Sequence, residues 1–456
     1  MKQKSMNMTE GPLFKKMIIY TVPIILTSLL QLLFNAADLI VIGQECGSVY
    51  VGAVGATSSL INLLVNFFIG LSVGVSVSTA FAFGAKDDDS LTKIVHTAFP
   101  IAIVCGIILT IVGLFGSATF LRLMGTPDNV VDLSTTYMQI YFCGVTASLI
   151  YNFGAAILRA IGDTKSPLIF LTIAGIVNVI LNLFFVIVLK MNVAGVALAT
   201  SISQIISATL IVIALMKRND ACKLSLKKLR FHKKQVLQIV KIGLPAGIQS
   251  SLFAISNVII QSSINSFGDT VLSGNSAATS IEGFVYVSLN AFHQTALNFS
   301  SQNFGSHKFD RIKRIAFISL VCVATTGLVL GNLAVIFGKP LLKIYIKDSA
   351  KAISYGFLRL KCICLTYSLC GLMDVMTGLI RGIGASVIPM FVTVLGVCGF
   401  RILWIFTIFK KPEFHTTKSL YMSYPISWAM TFAVELLVFI IIFKHNKKAY
   451  TKDCLA

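Results

Sequence analysis

Arg159-Ala160-Ile161-Gly162-Asp163-Thr164-Lys165-Ser166-Pro167 returns as Arg381-Gly382-Ile383-Gly384-Ala385-Ser386-Val387-Ile388-Pro389, with arginine and proline each displaced by 222 residues. The same offset joins Pro23 to Pro245, Ser28 to Ser250, Asn35 to Asn257 and Ala56-Thr57-Ser58 to Ala278-Thr279-Ser280. Phe83-Gly84 pairs with Phe304-Gly305 at an offset one residue shorter, 221. An offset of nearly half of 456 residues means two tandem copies of one unit.

Almost everything between these landmarks is apolar. With 56% hydrophobic residues, 12% charged residues and a mean hydropathy of +0.85, the chain has more apolar surface than a water-soluble core could hide. The apolar runs reach about 20 residues, the length of a spanning helix, whereas barrel strands alternate over about ten. Twelve spans are expected, at 15–42, 51–80, 94–119, 135–157, 168–189, 193–216, 240–266, 274–300, 313–338, 354–380, 386–409 and 419–443. Residues 1–216 then form one six-helix lobe, 217–241 a basic connecting loop, and 242–456 the second lobe. An even number of spans per copy gives both copies one orientation, with a pseudo-twofold axis along the membrane normal. The expected fold is an all-α membrane protein, twelve transmembrane helices in two pseudo-symmetric six-helix lobes around a central cleft. Many secondary transporters build their substrate site from such a duplication.

The formal net charge of +20 would suit nucleic acid, but its placement points to a membrane instead. With both termini cytoplasmic, 26 Lys/Arg lie inside, nine outside, and Arg359, Lys361 and Arg401 within spans, as the positive-inside rule requires. Lys339, Lys343, Lys347 and Lys351 are the stretch that fits least well. The loop from Lys217 to Lys241 carries nine Lys/Arg against Asp220 and reads as a cytoplasmic tether that also sets orientation. Met1–Gly11 is polar and leads into a full-length span, so no cleavable signal is expected. Seven of ten cysteines lie in apolar segments, with neither a disulfide framework nor zinc spacing.

Enzyme chemistry finds no foothold. No phosphate-binding G-x-x-x-x-G-K-[ST] loop occurs, so energy has to come from an ion gradient or a partner. Gly70-Leu71-Ser72-Val73-Gly74 fits an esterase pattern but sits mid-span, where it reads as close helix packing. The six histidines form no metal-ligand pattern.

The intramembrane acids are the residues to weigh. Asp38, in Asn35-Ala36-Ala37-Asp38, lies deep in the first span, where a carboxylate is costly unless protonated, paired or wet. Its repeat mate is Ile260, so the acid belongs to one copy, as a coupling site would. Asn178 and Asn182, four apart on one helix face, could cap Asp38 or ligate an ion, or simply join helices. Thr200 is equally double-edged, since threonine often bonds its own helix. Glu282 and Asp374 either line a path for cationic substrate or protons, or pair with Arg359, Lys361 or Arg401. Glu435 reads as structural.

Taken in order, Asn35-Ala36-Ala37-Asp38, Phe83-Gly84-Ala85, Leu158-Arg159-Ala160-Ile161-Gly162-Asp163, Asn178…Asn182…Gly195-Val196-Ala197…Thr200 and Leu379-Ile380-Arg381-Gly382-Ile383-Gly384 resemble the multidrug and toxic compound extrusion (MATE) transporters. The resemblance spans essentially the whole chain. It implies two six-helix lobes around a cleft in the cell (inner) membrane, and export of small organic cations or amphipathic drugs in exchange for H⁺ or Na⁺. Carried over by position, Asp38 is the ion or proton site, with Asn178, Thr200 and Tyr137 around it; Asn182 joins that set by its place on the helix face of Asn178, and Glu282 and Asp374 remain cleft candidates as intramembrane acids. No cofactor is implied, no metal other than Na⁺ at Asp38 should that be the coupling ion, no nucleic acid, and contact with membrane lipid by a monomer. Two departures leave the coupling ion open. Asn182 stands where many relatives have Asp, and Phe253, eight residues after Pro245, where one branch has Glu. The rival reading is a flippase for lipid-linked oligosaccharide or phospholipid, for which Arg359, Lys361 and Arg401 would supply a basic cleft.

Overall fold

The computed structural model describes residues 5–346 and 349–453; Lys2, Lys4 and Lys347 of the charge assignment lie outside them. The described residues are helical apart from short connections. The first copy contains α1 (Leu13–Glu45), α2 (Ser48–Ala85), α3 (Asp88–Leu123), α4 (Asp128–Ala160), α5 (Lys165–Leu183) and α6 (Asn192–Met216). The second begins with α7 (Lys233–Asn265), α8 (Asp269–Gly305), α9 (Phe309–Ile336) and the short α10 (Gly338–Tyr345). It continues with α11 (Ala350–Cys364), α12 (Tyr367–Gly382), α13 (Val387–Thr393), α14 (Phe400–Phe406) and α15 (Thr417–Asp453).

Among the described residues, ten helices are long and apolar enough to cross a membrane. α11 and α12, bent by 45° to each other, are together long and apolar enough to count as an eleventh. α8 is less apolar but takes the repeat position of α2: Gly47 and Gly268, both at positive φ, precede the two helices. Toward its C-terminal end its polar side chains are buried and many turn onto their own helix, as when Ser301 donates to Leu297 O (2.7 Å) and Asn303 to Phe299 O (2.8 Å). α5 runs on through a π-helical turn, Phe184–Val188, and α13 joins α14 through another, Val394–Gly399.

The quoted repeat is a helix stop. Gly162 and Gly384 have φ of +92° and +90°, the left-handed conformation that glycine adopts without strain. Their amides donate to Arg159 O and Arg381 O, both at 2.9 Å, while Asp163 and Ala385 reach back to Leu158 O (2.8 Å) and Ile380 O (3.2 Å). Four terminal carbonyls that would otherwise face no donor are thereby satisfied. The Phe-Gly pairs mark a second stop of this kind, with Lys86 and His307 left-handed and Asp87 and Lys308 donating to Ala82 O and Asn303 O.

By contact the chain divides into two compact units, 1–8 with 22–251 and 9–21 with 252–456. The first helix of each copy is therefore shared, since the start of α7 belongs to the first unit and the start of α1 to the second. In the first unit a Cβ on Gly70 would stand 2.3 Å from Gly247 Cα, and one on Gly74 2.1 Å from Ile239 O. The G-x-S-x-G segment is thus a backbone-to-backbone seam between α2 and α7. In the second unit Tyr20 stacks edge-on against Phe299 (5.4 Å), and the Thr21 and Thr295 hydroxyls are 2.7 Å apart.

Candidate ion site and its surroundings

Asp38, three-quarters of the way along α1, is half-buried within the first unit. The π-helical turn ends α5 just beyond Asn182, and a tight connection brings α6 back alongside. Three helices thus converge on one carboxylate. The Asn182 side-chain amide donates to Asp38 Oδ1 and to Asn178 Oδ1 (3.3 Å). Thr200 Oγ1 lies 3.5 Å from Asp38 Oδ2 and 2.9 Å from Val196 O, and it accepts from Asn178 Nδ2 at 3.4 Å. A hydroxyl has one proton, so the shorter bond to Val196 takes most of it.

Asn178 and Asn182 are buried, and Asn182 Oδ1 has no hydrogen-bond partner. The cluster therefore offers a carboxylate, an amide carbonyl and a hydroxyl to a proton or a hard cation, ligands of the type such ions prefer. Tyr137 stands in the apolar cluster beside it, with Ile42, Val54, Val193, Val196 and Ala197, and stacks on Tyr141 at 6.3 Å. No hydrogen bond joins Tyr137 to Asp38 among the described residues.

In the second unit Glu282 is paired. Arg359 Nε and Nη2 reach Glu282 Oε1 and Oε2, both at 2.8 Å, and Arg359 Nη1 donates to Asn275 Oδ1 at 2.7 Å. Glu282 and Arg359 are 4% and 6% exposed, so the pair is neutralised out of water. Of the two readings open for Glu282 in the sequence, a cleft-lining acid or the partner of an intramembrane cation, the described residues form the second, with Arg359 as the partner. Asn275, seven residues before Glu282 on the same face of α8, was not singled out in the sequence. That spacing was the signal available.

Asp374 makes no ion pair with Arg359, Lys361 or Arg401 among the described residues. Its backbone carbonyl accepts from His293 Nδ1 at 2.6 Å, and its buried Oδ2 has no hydrogen-bond partner. Glu435, fully buried, accepts from Thr377 (2.7 Å) and Thr393 (2.9 Å) through Oε1. Arg401 donates to Ser427 (3.0 Å) and lies over Tyr424 (4.0 Å) and Trp428 (5.5 Å), so aromatic faces take the place of a counter-ion.

A duplicated helical bundle of membrane-crossing length, with ionisable clusters buried inside it, is the architecture of a multi-pass membrane transporter. The chain belongs to the MatE family, whose profile matches residues 23–184 and again 245–407. The two matches begin 222 residues apart (245−23), the offset of the repeat. The chain is similar to a probable multidrug resistance protein YpnP of Bacillus subtilis, 29% identical over 400 residues and covering 88% of each chain. It is also similar to the multidrug export protein MepA of Staphylococcus saprophyticus, 21% identical over 377 residues, covering 82% of this chain and 83% of that one. It is similar in fold to a solved multidrug resistance MATE family transporter that was captured in an outward-facing conformation (TM-score 0.89, 19% identity, covering 98% of this chain and 100% of that one). A transporter of the same superfamily from Pyrococcus furiosus superposes with a TM-score of 0.90 at 18% identity, covering 98% of this chain and 100% of that one.

Proposed function

We propose that the chain is a secondary antiporter that exports cationic or amphipathic organic compounds in exchange for H⁺ or Na⁺, with Asp38 as the coupling carboxylate. The observation that carries this reading is the Asp38 cluster, where an intramembrane carboxylate is held by Asn182 and Thr200 beside an amide oxygen with nothing to accept. Protonating Asp38 removes its charge and lets it donate, and Na⁺ would draw on Asp38, Asn182 Oδ1 and Thr200 Oγ1. Either event changes the balance among α1, α5 and α6 and so biases one conformational state over another. The names of the relatives support drugs as cargo, and the charge distribution supports cytoplasmic termini in the cell membrane. The flippase reading loses ground because Glu282 occupies Arg359, one of the three intramembrane cations it would draw on.

The test is ethidium efflux from proteoliposomes under an imposed pH or Na⁺ gradient, comparing the intact protein with Asp38→Asn. Export that follows one gradient and disappears in the variant is expected, and the effective gradient names the ion. Undiminished export by a correctly inserted Asp38→Asn protein refutes the assignment.

A further inference from the structure

Where α9 begins and α15 ends, the second unit carries two adjoining cavities that share Lys447 and Thr451. The larger, about 670 Å³, is walled by Phe439, Ile440 and Phe443 and rimmed by Lys313, Lys444 and Lys448. Its neighbour, about 530 Å³, adds Arg311 and Arg314. Such volumes suit a ligand of several tens of atoms. One acid, Asp310, enters the lining, and it is taken by Lys447 at 3.2 Å. Lys313, Lys444 and Lys448 have no carboxylate partner among the described residues, and Lys313 Nζ sits 5.8 Å from the Phe443 ring centre.

Lysines at the end of a span are ordinary. A concave apolar wall beneath three that form no ion pair among the described residues is not. Ile440, Lys444 and Lys448 are spaced by four and so form one line along α15, apolar toward the middle of the span and cationic toward its end. Ile440 is 40% exposed, facing outward, where a spanning helix of this kind meets lipid. Hydrocarbon below and negative charge above is the layout of an anionic phospholipid seen from the bilayer core.

We propose that this groove binds one anionic phospholipid, its phosphate held by Lys313, Lys444 and Lys448 and its acyl chain against Phe439 and Ile440. The site is independent of the Asp38 reading. It can be tested by native mass spectrometry of the delipidated full chain in detergent, titrated separately with phosphatidylglycerol and phosphatidylcholine of equal chain length. The protein should keep one phosphatidylglycerol at concentrations where phosphatidylcholine is lost. Lys444→Ala combined with Lys448→Ala should weaken that binding roughly 25-fold, about fivefold for each lysine near an anionic headgroup. Ile440→Trp keeps every charge and blocks the groove from an exposed position, and it should also release the lipid. Excess inorganic phosphate should not displace it. Equal retention of the two lipids, wild-type retention by both variants, or displacement by phosphate would each overturn the proposal, the last in favour of a free-phosphate site.

Discussion

Replacing Arg359 by methionine would leave Glu282, 4% exposed, as a buried carboxylate with no cation. Breaking such a pair from one side costs about 3–5 kcal/mol. The bond from Arg359 Nη1 to Asn275 is lost as well, but Tyr421 still donates to Asn275 Oδ1 at 3.3 Å, so that loss adds only about 1 kcal/mol. At about 2–4 °C per kcal/mol for a unit of this size, the unfolding midpoint should fall by roughly 8 °C or more. Glu282→Leu should cost less, because the stranded guanidinium keeps Asn275 and lies over Tyr421 and Tyr424 at 5.4 and 5.7 Å. Glu282→Leu combined with Arg359→Met removes both charges, and apolar replacement of a buried pair is commonly near neutral. The double variant should therefore recover most of the loss and still export ethidium. The assay is size-exclusion chromatography after heating in detergent, with dye efflux measured on the same preparations. A double variant no more stable than Arg359→Met alone would refute the pairing argument, and a stable double variant that no longer exports would return Glu282 to the substrate path.

At the ion site, Asn182→Ala removes both the donor to Asp38 and the open amide oxygen, and should slow gradient-driven dye efflux about tenfold or more, the worth of one hydrogen bond to a charged group. Thr200→Val should slow it less, because the shorter bond of that hydroxyl goes to Val196 O; an order reversed between the two variants would show that the hydroxyl matters more than the amide. Gly274→Val would place a Cβ 2.2 Å from Ala352 O, a backbone atom that cannot move aside, so α8 and α11 must separate and the folded peak on size exclusion should shrink sharply. Asp87 caps α3 by accepting from the Ser90 amide at 2.9 Å, and its bonds from Ser90 hold its carboxyl below the usual carboxylate range. A depressed folded value means the cap contributes above the unfolded value of about 4 and is lost as pH falls through the folded one. Asp87→Ala should therefore lower the thermal midpoint at pH 7, with the gap closing in acid; a pH-independent gap would contradict this.

Sequence by itself determined the duplication, the membrane class and the stops that end α4 and α12. These follow from local rules: apolar length, glycine at the left-handed position, and an offset that recurs. Asn178, Asn182 and Thr200 could be nominated beside Asp38 because spacing on one helix is readable and a carboxylate in a span needs company. Whether four residues from three helices meet is a property of packing, and only the tertiary structure brought them within hydrogen-bond reach. The same holds more strongly in the second copy. Glu282 and Arg359 are separated by 77 residues, and nothing in either helix distinguishes Arg359 from Lys361 or Arg401 as the partner. Tertiary structure made that choice, gave Asp374 no ion pair with any of those three cations among the described residues, set Arg401 on aromatic faces, and gave the first turns of α1 and α7 to the opposite units. Periodicity along a chain tells a residue which face it occupies, but the residue across from it is decided by how whole helices pack.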